Sequence, residues 1–472
     1  MRNRRSLCVV SSLLSLLTYA VPASGQEKSP TSPPETSEIS PAVASPKTPK
    51  KPTVTRLSNG LRMVILPDPE ATTIAVEVFF TVGLADERRY PGINALIART
   101  WGGESENRYA PLLKADIARI GSLGTDFSED WVELWGICAS SPTEFRKLLQ
   151  TLLTNVVANP RFSEEAIQKA KEEQQQTLLL QRDHLVGNTI DRLRGRIFGN
   201  SPFGRPLYGS EEGLQNLTAL VVENYYKQLF RPDRCIIVVA GAVKTQETQS
   251  LIEASLGAGG WNSAPSQRPE PLESVEAIPP GLRDMVLART APAGVLTVGF
   301  LAPGTELGGG RENYARLLLL DAVISGGKSG RLFRHLRDGI TGQEPIGYDV
   351  RTQIQPGRAQ SLWIFYATGV RSLPDCREAL LNELKRVANG TAPISAKELE
   401  RAKALLQAKH QLRRQRLKER AFATGWSEVM GLGADFDVAL PTLLNSITEE
   451  DLNRFAGKLL SASPAIVYIP GY

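Results

Sequence analysis

One order of elements is written twice along this chain, and that repetition limits its fold more than any other feature. In the first copy, apolar strand patterns over residues 61–67 and 74–82 precede helical sequence at 94–100 and 109–120. A strand at 131–137 leads to a helix at 142–157, where Phe145, Leu148, Leu149, Leu152 and Leu153 recur at helical spacing and Pro142 suits a first turn. A long helical region over 163–196, a helix at 219–230 and the wholly apolar strand 235–240 follow, and one more helix ends at Leu256. After the Gly-, Pro- and Ser-rich stretch 257–280 the order restarts. It runs strand 296–301, helix 311–325, strand 362–368, helix 373–388, a long helical stretch over 395–430 and a last strand at 467–469. A chain of 472 residues is too long for one ordinary core. Two homologous α+β domains are therefore expected, each a mostly antiparallel sheet with helices on one face. Their expected bounds are 53–257 and 281–472, with a linker over 258–280.

What precedes the first domain reads differently. Arg2, Arg4 and Arg5 stand before an apolar run over 6–21, and Ala23-Ser24-Gly25 follows. This is the pattern of a secretory signal over 1–25, short for a membrane span, with an uncleaved anchor as the alternative. Residues 26–52 are rich in Pro, Ser, Thr, Lys and Glu and read as a disordered tether, because such a stretch cannot bury enough apolar surface to offset its ordering entropy. Loss of the three arginines with the signal lowers the formal net charge from +5 to +2, which removes the main argument for nucleic acid as a partner. Membrane contact is then expected only through an uncleaved signal, and the expected location is beyond the inner membrane, in the periplasm. Cys138, Cys235 and Cys376 remain, far apart and without metal spacing. Buried free thiols are the favoured reading, with one disulfide as the alternative in an oxidising compartment.

Several short motifs keep a fixed order within the first copy. Gly83-Leu84-Ala85-Asp86-Glu87 leads into a short helix; Asn159-Pro160-Arg161-Phe162 precedes the long one; Ser201-Pro202-Phe203-Gly204 and Gly209-Ser210-Glu211-Glu212 come after it. That order resembles the insulinase, pitrilysin and mitochondrial processing peptidase family of zinc metallopeptidases. The resemblance covers nearly all of 53–472 and implies the LuxS/metallohydrolase-like peptidase fold, with two clam-shell-like halves closing around a peptide chamber. It also implies an H-x-x-E-H motif for zinc and a general base on the first helix.

That motif is missing. The helix reads Gly92-Ile93-Asn94-Ala95-Leu96-Ile97-Ala98-Arg99, so the two His positions fall on Ala95 and Arg99 and the Glu position on Ala98. Zinc needs imidazole, thiolate or carboxylate donors, and hydrolysis needs a base beside the metal-bound water. Alanine supplies neither, and an arginine stays protonated and repels a dication. The family's third ligand, a Glu on the long helix, falls by resemblance on Gln175 or Gln176, with Glu173 as a remnant in a shifted register. No metal is expected on this chain. The family's edge-strand Asn-Ala pair, which binds substrate backbone, is replaced by Gly124-Thr125.

The second copy keeps more. The turn Gly326-Gly327-Lys328-Ser329-Gly330 resembles the one that precedes the family's Arg and Tyr, which by resemblance are Arg337 and Tyr348. The pair is further apart than in the family, making 338–345 a lengthened loop. A phosphate-loop frame is absent around these glycines. The three histidines, His184, His335 and His410, are isolated and read as solvated or capping residues, and the basic run Lys409, Arg413, Arg414, Arg416, Lys418 and Arg420 as a solvated helical face. An acidic partner surface or anionic lipid is the alternative for the run. Two functions follow from the resemblance. One is a non-catalytic subunit of an envelope heterodimer that acts on peptides, whose homologous partner carries zinc while this chain lends Arg337 and Tyr348. The other is a peptidase-derived scaffold or peptide-binding protein, and a stand-alone peptidase with an unrecognised site comes third.

Overall fold

The computed structural model describes residues 51–102, 121–257, 284–289, 291–307, 309–337 and 349–471, together with Trp261 and Gly347. The signal, tether and linker readings, and the helix expected at 109–120, lie outside the described residues.

Two sheets carry the chain. The first orders its strands β1 (Thr53–Arg56), β2 (Arg62–Pro67), β6 (Cys235–Gly241), β3 (Thr73–Phe80), β5 (Val132–Ala139) and β4 (Gly121–Phe127). The second runs β7 (Met285–Val286), β11 (Ala465–Ile469), β8 (Gly294–Pro303), β10 (Gln360–Val370) and β9 (Asp349–Gln355). Among the described strands, β2 with β6 and β7 with β11 pair in parallel, and every other neighbour pair is antiparallel. The last five strands of the first sheet's order therefore match the second sheet strand for strand.

The helices repeat in the same way. In the first half these are α1 (Leu84–Glu87), α2 (Ile93–Gly102), α3 (Pro142–Leu149, continued as helix to Ala158), α4 (Glu164–Asp183), α5 (Leu185–Phe198), α6 (Glu211–Gln215), α7 (Ala219–Leu229) and α8 (Thr245–Gly257). The second half has α9 (Gly310–Ser325), α10 (Leu373–Ala388), α11 (Ala396–Arg414), α12 (Leu417–Val429), α13 (Phe436–Ser446) and α14 (Glu449–Leu460). Thus α2 to α7 correspond in order to α9 to α14. The strand β9 and the helices α13 and α14 had no sequence expectation.

Each long helical stretch of the sequence is two helices. His184 takes an extended conformation (φ −73°, ψ 111°), ends α4, and caps α5 by accepting from the Gly187 amide at 2.9 Å. Arg416, at φ −92° and ψ 126°, makes the equivalent break before α12. Both breaks turn the following helix onto the other half. Helix α5 packs on β8 and β11, and α12 on β3 and β6.

The central strands are buried on both faces for this reason. One face of the first sheet packs against its own helices α2, α3 and α7. The opposite face, including Val64, Phe79, Ile236 and Val238, shares a core with Phe422 and Trp426 of α12. Reciprocally, Leu193 and Ile197 of α5 join Leu362, Ile364 and Val467. Each sheet thus carries its own half's helices on one face, as expected, and a helix of the other half on the opposite face. Two glycines permit these approaches: a Cβ on Gly425 would lie 2.3 Å from the Phe79 ring, and one on Gly299 would lie 2.5 Å from the Leu193 side chain.

The basic run corrects its expectation. Arg413 and Arg414 both pair with the buried Asp437, Arg420 bonds Asp68 at 2.7 Å, and the Lys418 ammonium lies 4.2 Å from the centre of the Trp135 ring. Arg416 alone is an exposed member. Helix α12 crosses an interface, so its cations face acids and rings of the other half rather than water. His410, too, is buried, with Nε2 2.8 Å from the Asp437 carbonyl oxygen; His184 is a cap, as expected. Cys138, Cys235 and Cys376 are buried and unbonded. Among the described residues no helix is long and apolar enough to cross a membrane.

Candidate active-site remnant

The start of α2 is pinned from several sides. The buried Glu87 carboxylate accepts from the amides of Gly92 at 2.8 Å and Asn94 at 3.2 Å, groups that the first turn of a helix leaves unpaired. Burial pushes Glu87 up to about 8 even against these hydrogen bonds. The Asn94 amide donates to the Gly83 carbonyl at 3.0 Å and accepts from the Tyr225 hydroxyl at 3.0 Å. From α4, Gln174 Nε2 donates to the carbonyls of Gly92 and Tyr208, each at 2.9 Å. Gly92 has φ +87°, and a Cβ there would lie 2.6 Å from the Tyr208 carbonyl oxygen, so only glycine fits this junction.

One turn on come the positions of the missing zinc motif. Ala95 and Ala98 are buried in the core between α2 and the sheet. Arg99 reaches across to α4, where its Nη2 donates to Thr177 Oγ1 at 2.7 Å and its Nη1 lies 4.0 Å from Glu173 Oε2. Its guanidinium also sits 5.7 Å from the centre of the Tyr208 ring. Arg99 Nε is buried without a hydrogen-bond partner. A cation and its hydrogen bonds thus fill the space where a metal would need donors. Zinc does not fit these residues: Ala95 and Ala98 carry no donor, and a dication would face a guanidinium. Among the described residues no group of three or more His, Cys, Asp or Glu is placed to hold a metal.

On α4 the residues that meet Arg99 are not the expected Gln175 or Gln176. Gln176 is exposed and Gln175 half-buried, and neither is a partner of Arg99, whereas Glu173 and Thr177 are. The signal was present in the sequence. Ala166, Ile167, Ala170 and Gln174 form the buried stripe of α4, and that helical phase runs on to 177 rather than to 175 or 176.

Among the described strands, β4 stands at the edge of its sheet, and it packs beside α2. Gly124 and Thr125 lie in it, and a Cβ on Gly124 would meet the Trp135 indole at 2.4 Å, so a side chain there requires the indole to move. In the second half, Arg337 ends the helical turn Phe333–Arg337, itself tied down by Arg331, which bonds Glu398 at 2.8 Å and the carbonyls of Ala392 and Pro393 at 2.7 and 2.8 Å. The Arg337 side chain and Tyr348 lie outside the described residues.

Comparison with known proteins bears on the fold and the family. Residues 216–406 match a family model described as the peptidase M16 inactive domain. The chain is 22% identical over 414 residues to the uncharacterized zinc protease YmxG of Bacillus subtilis, covering 87% of this chain and 96% of the relative. It is 27% identical over 218 residues to cytochrome b-c1 complex subunit 1 of Saccharomyces cerevisiae, covering 45% of each. A crystal structure of a protease from Helicobacter pylori superposes with a TM-score of 0.77 at 16% identity, covering 90% of this chain and 100% of the other.

Proposed function

We propose, on the premise that this chain is a member of the M16 peptidase family, that it is the non-catalytic subunit of a zinc peptidase built from two unlike chains. The observation that carries this reading is the Arg99 contact with Thr177 and Glu173, which occupies the zinc position with a cation. In this arrangement a homologous zinc-bearing chain supplies metal, base and water for peptide hydrolysis, and this chain closes the peptide chamber. The exchange of α5 and α12 supports a chamber between chains, because it fills the space between the two sheets with core. Arg337 and Tyr348 would then donate hydrogen bonds to the negative charge developing on the substrate carbonyl in the partner's site. Edge strand β4, paired on one side only among the described residues, suits backbone pairing with an extended peptide. The setting proposed is the periplasm, reached through the signal over 1–25.

A scaffold without hydrolytic role is the second reading, favoured by the similarity to a cytochrome b-c1 complex subunit. One experiment separates the two. The tagged full chain is purified from its native envelope, its co-purifying chains are identified, and zinc and peptide cleavage are measured before and after Arg337→Ala and Tyr348→Phe. A zinc-bearing relative in equal amount, with cleavage that collapses in both variants, is the expected result. A chain that emerges alone, without zinc or cleavage, would replace the subunit reading with the scaffold.

A further inference from the structure

The two helices that cross between the halves close their joints differently. Leu193 of α5 and Gly425 of α12 stand at the same distance from the breaks at His184 and Arg416, and they meet Gly299 of β8 and Phe79 of β3. These strands therefore hold equivalent places under the two helices. One pleat earlier on the same faces stand Thr297 and Glu77. At the α5 joint the Thr297 hydroxyl meets the buried Thr189 hydroxyl of α5 at 2.7 Å, a contact that carries no charge at any working pH. At the α12 joint Glu77 lies diagonally beside Glu133 of β5, and both are fully buried on the sheet face that α12 covers.

Two carboxyl groups that hydrogen-bond each other must share at least one proton, because like charges so close in a dry site cannot both ionise. The groups around the pair do not compensate a second charge. Lys418 of α12 brings a positive charge, with its ammonium 4.2 Å from the centre of the Trp135 ring, while Glu419 of α12 and Asp126 of β4 bring negative ones. From β6 the neighbour of Glu77 is the apolar Val238. Arg420 and Glu428, further along α12, are paired with Asp68 and Arg62. Lys418 thus balances a singly ionised pair, and full ionisation leaves acids in excess. The strands cannot yield, since β3 is bonded to β5 and β6, and β5 to β3 and β4. Helix α12 can, because it is entered through the extended, exposed Arg416.

We propose that Glu77 and Glu133 are a proton-operated latch on α12: the helix stays on the first sheet while the pair holds a proton, and its first turns lift and admit water when the pair ionises fully, with the α5 joint still closed. The protons pass to solvent. Burial raises Glu77 to about 7 and, with its neighbour, holds Glu133 well above the usual carboxylate range. The stabilisation of the closed helix is therefore fully present below the ordinary carboxylate value of 4.5 and is lost as pH rises through about 7. The latch is independent of the subunit reading, since it uses neither Arg337 nor Tyr348.

The test is amide hydrogen exchange on the purified full chain, read by mass spectrometry between about pH 5.5 and 8, with and without about 1 M urea, and corrected for the intrinsic pH dependence of exchange. Segments 417–425 of α12 and 185–193 of α5 are compared. Protection of 417–425 is expected to fall at least about tenfold per pH unit, because opening releases at least one proton, and to be insensitive to urea, because the opening is local. Segment 185–193 is expected to stay at least about tenfold better protected and to exchange only through urea-sensitive opening. Glu77→Gln with Glu133→Gln is expected to hold the protection of 417–425 within about threefold over the same range. Should that variant fail to fold, Glu77→Thr with Glu133→Ile, which copies Thr297 and Ile364 of the α5 joint, carries the same expectation. Protection of 417–425 that does not change with pH, or that falls together with 185–193 at equal urea sensitivity, would overturn the latch. So would a pH dependence that survives in a folded variant.

Discussion

At the scale of single residues, Arg99 fills the space between α2 and α4 with a cation. Its guanidinium donates to Thr177 Oγ1 across to α4. This makes the register testable. Ala95→His, Ala98→Glu, Arg99→His and Thr177→Glu together restore the full donor set and are expected to bind one zinc per chain, read by metal analysis after gel filtration. The same set with Gln176→Glu in place of Thr177→Glu is expected to bind none. Glu77 and Glu133 pose a different residue-scale problem. They stand diagonally on β3 and β5, fully buried, under α12, and hydrogen-bond each other. Burial raises Glu77 to about 7, and burial together with its neighbour holds Glu133 well above the usual carboxylate range, with Lys418 opposing and Glu419 and Asp126 adding negative charge. The folded chain therefore holds protons that the unfolded chain has released above its carboxylate pKa near ~4.3. Stability is expected to fall as pH rises from there through about 7. Glu77→Gln with Glu133→Gln should flatten that decline in urea titrations between about pH 5 and 8; an unchanged slope would sink the assignment.

At the scale of elements, the breaks at His184 and Arg416 decide which sheet a helix covers. Helix α12 lies close enough on β3 that Gly425 admits no side chain, and β8 is equally tight at Gly299 beneath α5. Gly425→Ala is expected to destabilise by roughly 1–3 kcal/mol in urea unfolding, since the Phe79 ring cannot shift without loss of packing, whereas Gly299→Ala meets the end of the Leu193 side chain and is expected to cost less. An ordinary helical glycine replaced by alanine would gain stability, so the sign itself is informative. His184→Ala removes the cap of α5 and is expected to cost about 0.5–2 kcal/mol. The element order was legible in the sequence because helical and strand spacing survive in buried stripes. The ends of α10 at 373 and 388 match expectation, helped by Pro374 in its first turn. The splits of the two long helices were not legible, because His184 and Arg416 are ordinary helix formers whose extended conformation is set by what the next helix reaches.

For the whole molecule, the exchange of α5 and α12 makes the halves one cooperative body. Arg194 of α5 pairs with Glu129 in the β4–β5 turn and donates to Gln355 of β9 at 3.2 Å, while Asp130 accepts from the Arg358 amide at 3.0 Å. These buried polar groups bind first-half residues to second-half strands. Arg194→Met leaves Glu129 buried and unpaired, and is expected to cost about 3–5 kcal/mol. Calorimetry should show one transition moved to lower temperature rather than two separate ones. Two independent transitions would mean that the exchanged helices do not couple the halves.

The sequence by itself determined the repeated order of elements, the α+β class, and the absence of zinc donors at Ala95, Ala98 and Arg99, because local periodicity and side-chain chemistry need no partners to be read. Tertiary structure alone decided that each half lends a helix to the other, that Glu173 and Thr177 rather than Gln175 or Gln176 meet Arg99, and that the basic run turns inward to Asp437, Asp68 and Trp135. The physical reason is the same in all three. A helix's phase and a cation's partner are set by the surface brought against them, and in this chain that surface comes from residues far away in sequence.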